Sequence, residues 1–295
     1  MEAGLATESR GISVAWARSS AVLILGLLAI TIPVMIHVAQ ESWSTEQGGH
    51  GPIVLATGLW LLSREWSAAR AVARPGSWPL GIAALALLLP LYIFASVTST
   101  VEIEGASLYA TVLTVAYMLW GMAALRKAWF PLFYLMFMFP PPDTLFAMLT
   151  QPLKIAISQW AVAILHAAGY PVAASGAQLQ IGQYEMLVAA ACAGLSSMIS
   201  LMALGLFYIY LRHSANWRYM LLLALCIVPV SIVANLIRVL ILLLLTYHFG
   251  EAAGQGFLHD AAGLTMFMTA LLGILLIDRL ARPIRDRLAG QEAAR

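Results

Sequence analysis

Residues 217–246 read "WRYMLLLALCIVPVSIVANLIRVLILLLLT". Thirty positions pass with charge only at Arg218, where the run begins, and at Arg238, inside it. A helix of this length is about 45 Å long, more than the roughly 30 Å hydrocarbon core of a bilayer. The segment is therefore read as a membrane-spanning helix that tilts or protrudes. The rest of the chain has the same character: 61% of its 295 residues are hydrophobic and 10% charged, with a mean hydropathy of +0.85. Soluble domains are about 45–50% apolar and about 25% charged. No water-soluble fold of this size hides so much apolar surface, so the expected class is all-α, a polytopic integral membrane protein.

Eight spans are expected, over 19–39, 50–64, 78–97, 107–125, 128–149, 188–211, 217–246 and 262–280. The second is short and opens on His-Gly-Pro. The fifth carries the triple proline of "FMFPPPDTLFAML", which should break or kink the helix near Pro140. The first is kept as a span and not a cleaved leader, because no small-x-small site follows it. No linker divides the chain, and it is read as a single domain over 1–295.

Orientation follows from the cations. Arg10, Arg18, Arg64, Arg70, Arg74, Arg126, Lys127, Arg212, Arg218, Arg279, Arg282, Arg285, Arg287 and Arg295 all fall on one side of the eight-span scheme. The opposite loops hold Glu41, Glu46, Glu102, Glu104, Glu185 and Glu251, with Lys154 as their cation. Both termini are thus expected in the cytoplasm, and residues 150–187 form an external cap. Within that cap, "QPLKIAISQWAVAILHAAGYPV" has the spacing of an interfacial amphipathic helix. "GYPVAASGAQLQIGQYEM" reads as a short hairpin after it. The cap lies directly above Cys192 and offers a docking surface. The basic residues are accounted for by topology, so a nucleic-acid role has no support.

Ionisable groups inside a membrane are costly and mark function. Arg238, in "VANLIRVLILLLL", lies about 12 Å below the outer end of its span, and Asn235 shares its face three residues earlier. Snorkelling to the surface is a long reach from there. His259 and Asp260, in "GQGFLHDAAGLTMFM", open the last span on the same outer side, where Asp260 can also act as a helix cap. His248 is the main competitor to His259, while His37 and His50 border the first external loop, His166 lies in the cap and His213 is cytoplasmic. Cys192, in "LVAAACAGLSSM", enters the sixth span from the outer side. Cys226 lies at a different depth, so a disulfide between the two is excluded, and Cys226 reads as ordinary packing. A thiolate nucleophile, a histidine that moves a proton and an arginine that holds an oxyanion are the parts of an acyl-transfer site.

At these residues the chain resembles the exosortase/archaeosortase family of membrane-embedded cysteine transpeptidases. "MLVAAACAGLSSM" is similar to the family's cysteine block, "VANLIRV" to its N-x-x-R block, and "LHDAAG" to its histidine block. "FPLFYLMFMFPPPDTLFAMLTQPLKIAIS" and "AAGYPV" resemble two further segments. The resemblance implies an enzyme of the cell inner membrane with its site on the periplasmic side. Its substrates would be exported proteins with a C-terminal sorting signal of the PEP-CTERM kind: a short motif, a transmembrane helix and a basic tail. Cys192 would form a thioester, His259 act as general acid and base, and Arg238 stabilise the oxyanion, with Asn235, Asp260 and Ser196 in support. An acceptor of unknown identity, or water, would resolve the thioester. Membrane lipid surrounds the site, and neither a cofactor nor a metal is implied. One departure is Ala193, where many members carry serine; Ser196 or Ser197 would have to substitute for it. The competing reading is a transporter, with Arg238 as substrate counter-ion and Cys192 and Gly194 as small residues for close helix contact.

Overall fold

The computed structural model describes residues 22–45, 48–141, 143–187, 194–213, 217–250 and 257–286. The side chains of 143–147, 149, 186, 187, 194–198, 213, 217, 257–264, 266 and 267 lie outside that description. The protein is a helical membrane protein. Four of the described helices are long and apolar enough to cross a bilayer: Val22–Trp43, Trp78–Val97, Val101–Lys127 and Arg218–Phe249. The chain packs as two compact units, Met1–Pro142 and Asp143–Arg295.

In the first unit α1 (Val22–Trp43) is followed by α2 (Gly51–Ala71), α3 (Trp78–Val97), α4 (Val101–Lys127) and α5 (Trp129–Leu135). Pro52 and Pro79 occupy the first turns of α2 and α3, where a missing N–H costs nothing. The α2 helix runs seven residues past the expected end of its span, so Arg64 lies within it, over the Trp60 ring at 5.0 Å. The charges of α4 complement its dipole, with Glu102 and Glu104 in the first turn and Arg126 and Lys127 in the last.

Two breaks shape this unit. Within α4, Gly121 has φ 74° and ψ 174°, and a Cβ there would strike the Arg74 carbonyl. Only glycine fits. The break is filled by the α2–α3 connection: the Arg74 N–H donates to the Trp120 carbonyl at 3.0 Å, and the Gly76 N–H reaches the Tyr117 carbonyl at 3.1 Å. The second break is the one foreseen at the prolines. α5 tightens into a 3₁₀ turn at Met136–Met138 and ends with Phe139 extended (ψ 143°) ahead of Pro140. The carbonyls left over are taken up by side chains, Trp43 Nε1 donating to Met138 O at 3.0 Å and His50 Nε2 meeting Phe137 O at 3.1 Å.

The second unit opens with α6 (Asp143–Ala167) and a three-stranded antiparallel meander of β1 (Val172–Ser175), β2 (Gln178–Ile181) and β3 (Tyr184–Leu187). It continues with α7 (Gly194–His213), α8 (Trp217–Phe249) and α9 (Phe257–Leu280). The expected division at 149/150 between a span and an interfacial helix is absent, since α6 runs through Pro152 as one helix. The single expected hairpin is two. Each two-residue loop begins with a glycine at positive φ, Gly176 at 62° and Gly182 at 58°, which matches the twist of paired strands. This sheet also qualifies the all-α expectation.

Alternation in β2 sends Leu179 and Ile181 inward, both fully buried, while Gln178 and Gln180 stay exposed. The inward pair packs on Ile157, Ala161 and Leu165 of α6 and on Val239 and Leu243 of α8. Elsewhere along α8, Leu201 of α7, Ala234 of α8 and Ala270 of α9 meet in one buried layer. Nearer the α7–α8 link, Ile209, Tyr219, Leu223, Ile227 and Ile274 form another. The pairings make α7 and α9 antiparallel to α8.

Candidate functional site

The site is organised by α8. At 100° per residue, Ser231, Asn235, Arg238 and Thr246 fall on an arc of about 80°. All four are buried; Asn235 is 0% and Arg238 4% exposed. Ala234 lies on one flank of this polar stripe, against α7 and α9. Val239 and Leu243 lie on the other, against α6 and the sheet. The stripe therefore faces the seam between the α7/α9 pair and the α6/sheet layer. Its burial rules out snorkelling for Arg238. On translocon scales a central arginine costs roughly 2.5–3.5 kcal/mol, and Asn235 and Arg238 are both held by interactions with neighbouring groups.

The Leu201–Ala234–Ala270 layer sets a common level for the three helices. Arg238 is four residues from it, about 6 Å toward the C-terminal end of α8. Ser196 is five residues away, about 7.5 Å toward the start of α7. The backbone thus brings Arg238 and Ser196 to one height. His259 and Asp260 are the third and fourth residues of α9; His259 stands about 16.5 Å from the layer, some 10 Å farther out than Arg238. The side chains of His259, Asp260 and Ser196 lie outside the described residues. So does Cys192, in the segment between the end of β3 at Leu187 and the start of α7 at Gly194, and with it the Cys192–His259 separation. Cys226 is a half-buried free thiol on α8.

The competing histidine is otherwise engaged. His248, on the exposed last turn of α8, has Nε2 3.4 Å from the Tyr170 hydroxyl. Its ring packs edge-on to Tyr170 and Tyr247. Tyr170 opens the turn into β1, so His248 helps to fasten the cap to α8. His166 is exposed on α6.

Two buried carboxylates escaped the sequence reading. Asp278 was expected only as part of the last span. It is buried and accepts hydrogen bonds from the Tyr208 hydroxyl at 2.7 Å and the Tyr219 hydroxyl at 2.8 Å. One residue thereby ties α7, α8 and α9 together. Glu104 was assigned to an external loop. Instead α4 begins at Val101, six residues before the expected span, which places Glu104 a turn inside the helix. It is 3% exposed and its Oε2 is 2.6 Å from His37 Nδ1. Packing explains its position: Glu104 precedes Leu108 by one helical turn, and Leu108 packs on Val34 and Val38 beside His37.

The chain was compared with known families, curated proteins and solved structures. A family model described as "Transmembrane exosortase (Exosortase_EpsH)" covers residues 43–276, a stretch that includes Cys192, Asn235, Arg238 and His259. No curated protein and no solved structure matches the chain.

Proposed function

The chain belongs to the transmembrane exosortase family, and on that premise we propose that it is a membrane-embedded cysteine transpeptidase of C-terminal sorting signals. The observation that carries the reading is Arg238: a buried guanidinium, with buried Asn235 one turn away, on a stripe level with the first turns of α7. In the proposed arrangement eight spans cross a bacterial inner membrane with both termini in the cytoplasm. The site then opens toward the periplasm.

The chemistry runs in two acyl transfers. The Cys192 thiolate attacks the scissile carbonyl carbon, and the resulting oxyanion is stabilised by Arg238. As the C–N bond breaks, His259 gives its proton to the leaving amine, and a thioester remains on Cys192. The acceptor's nucleophile then attacks the thioester while His259 takes its proton, and the thiolate departs. Asn235 orients the guanidinium, Ser196 lines the same level, and Asp260 sits beside the histidine. The substrate supplies a motif of the Pro-Glu-Pro type, a transmembrane helix and a basic tail. The helix brings the scissile bond to the outer half of the membrane, within reach of Arg238.

The test is a tagged exported protein carrying such a signal, co-expressed with the enzyme and followed by the mobility shift on processing. Cys192→Ala and Cys192→Ser are expected to insert normally and let the uncleaved form accumulate, with turnover down by at least about 10³-fold. Normal processing by Cys192→Ala overturns the nucleophile assignment. A cleaved product of the hydrolysed mass, with no adduct at its new C-terminus, removes the transfer step and leaves the peptidase.

A further inference from the structure

The first unit contains a cavity of about 110 Å³ whose walls come from α2, α4 and α5. Its lining is hydrocarbon throughout, with Leu62, Trp66, Ala116, Trp120 and Leu132 prominent, and the one charged side chain among the described residues around it is Arg70. The cavity persists because its walls are fixed from outside. Ala69, Ala124 and Ala128 are in buried contact and bring the backbones close without filling the space beside them. Trp66 and Trp120 brace each other edge to face, with centroids 4.9 Å apart. One residue on, the Gly121 break is pinned by the Arg74 N–H on the Trp120 carbonyl, so α4 cannot straighten to close the space.

An apolar cavity gives water no partners and stays dry. A helix is about 10–12 Å across with its side chains, far too wide for this space, whereas an apolar cavity of about 150 Å³ takes a benzene-sized group, so this one seats a short stretch of a single hydrocarbon chain. The mouth has a sign. Arg70 is exposed there. Arg74 is bound to Trp120 through its backbone, and Arg126 and Lys127 follow Trp120 within two turns. Tryptophan beside arginine is the pattern of a membrane interface. Guanidinium groups take phosphate oxygens two at a time.

We propose that this cavity seats the headgroup-proximal stretch of one acyl chain of an anionic phospholipid, with the lipid phosphate held at the mouth by Arg70. The site is independent of the acyl-transfer chemistry and lies wholly within the first unit. It makes a lipid a specific ligand of the protein as well as its solvent.

The experiment is native mass spectrometry of the full chain, purified in a neutral detergent. The two probes are dioleoyl phosphatidylglycerol and dioleoyl phosphatidylcholine, which share their acyl chains. One phosphatidylglycerol is expected to be retained, at least about fivefold more tightly than phosphatidylcholine, the effect of a single well-placed cation at a membrane surface. Arg70→Gln, an exposed change that leaves the packing alone, should bring phosphatidylglycerol down to the phosphatidylcholine level. Ala116→Leu, which fills the cavity, should reduce retention of both, with thermal unfolding as the check on folding. An undiminished headgroup preference in Arg70→Gln overturns the phosphate contact. Unchanged retention in a folded Ala116→Leu overturns the cavity as the acyl site, as does retention of several lipids without headgroup preference.

Discussion

The α7–α9 bundle holds a buried charge at two levels, and the two are built differently. Asp278 lies toward the end that carries Arg212, Arg218 and Arg279. It receives the hydroxyls of Tyr208 and Tyr219, one from each neighbouring helix, on its two carboxylate oxygens. That is a latch: a compact ion satisfied by hydroxyls from the two helices it joins to its own. Arg238 lies more than half the length of α8 away. It belongs to a stripe of four buried polar residues that runs along a seam between two packing layers. Its height is that of Ser196, at the start of the helix that follows Cys192. A latch needs only local closure. A stripe along a seam leads somewhere, here toward the ends at which α7 and α9 begin. Under the proposed function the first is a charge kept for assembly and the second a charge kept for chemistry.

Substitution tests that division. Arg238→Gln keeps the size and much of the polarity of the side chain but removes the charge. Processing of the tagged substrate is expected to fall by about 10²–10³-fold, the usual cost of an oxyanion donor, while the unfolding midpoint in detergent stays close to that of the parent. A large loss of stability with activity per folded molecule retained would make Arg238 a second latch. Asp278→Ala should behave in the opposite way. It removes two charge-assisted hydrogen bonds and leaves the Tyr219 hydroxyl on the backbone carbonyl of residue 278 at 3.2 Å, costing roughly 3 kcal/mol of stability, with turnover of the folded fraction little changed. The smallest effect is expected for Tyr208→Phe and Tyr219→Phe, about 1 kcal/mol each. Either change combined with Asp278→Ala should add much less than its separate cost, because the shared bond is already gone. Full additivity would show that the carboxylate and the hydroxyls act independently, and the latch would dissolve into separate contacts.

Much of this fold was legible in advance. The third span, expected over 78–97, is the helix Trp78–Val97. Ser77 and Pro79 mark its start by local chemistry, and Thr98 with Ser99 (φ 52°) marks its stop. The break near Pro140 follows from a ring that cannot continue a helix. Less legible were the helix ends made of polar residues. The apolar run of the fourth span begins near 107, so Glu102 and Glu104 looked like loop, although α4 begins at Val101. Hydropathy measures preference for lipid, and a turn that packs against another helix need not be apolar. The same limit hid Asp278, because a carboxylate that finds two hydroxyls leaves no mark in its own neighbourhood of sequence. Nor was the Gly121 break foreseeable, since the group it accommodates is the Arg74 carbonyl, some 47 residues away.

What the sequence determined by itself was the solvent and the local grammar. Apolar runs of bilayer length place the chain in a membrane, prolines and glycines punctuate it, and the cysteine, N-x-x-R and histidine blocks single out the residues proposed to carry chemistry. These are properties of neighbouring residues, and neighbours are all that a string displays. What only the tertiary structure decided was which faces meet. Arg238 is buried because α8 turns one stripe toward α7 and α9, another toward α6 and the sheet, and leaves the polar residues in the seam between them. The height it shares with Ser196 comes from the antiparallel register of two helices, set by the layer of Leu201, Ala234 and Ala270. Register is a relation between distant segments and is fixed by packing, so it became visible only once the helices were in place.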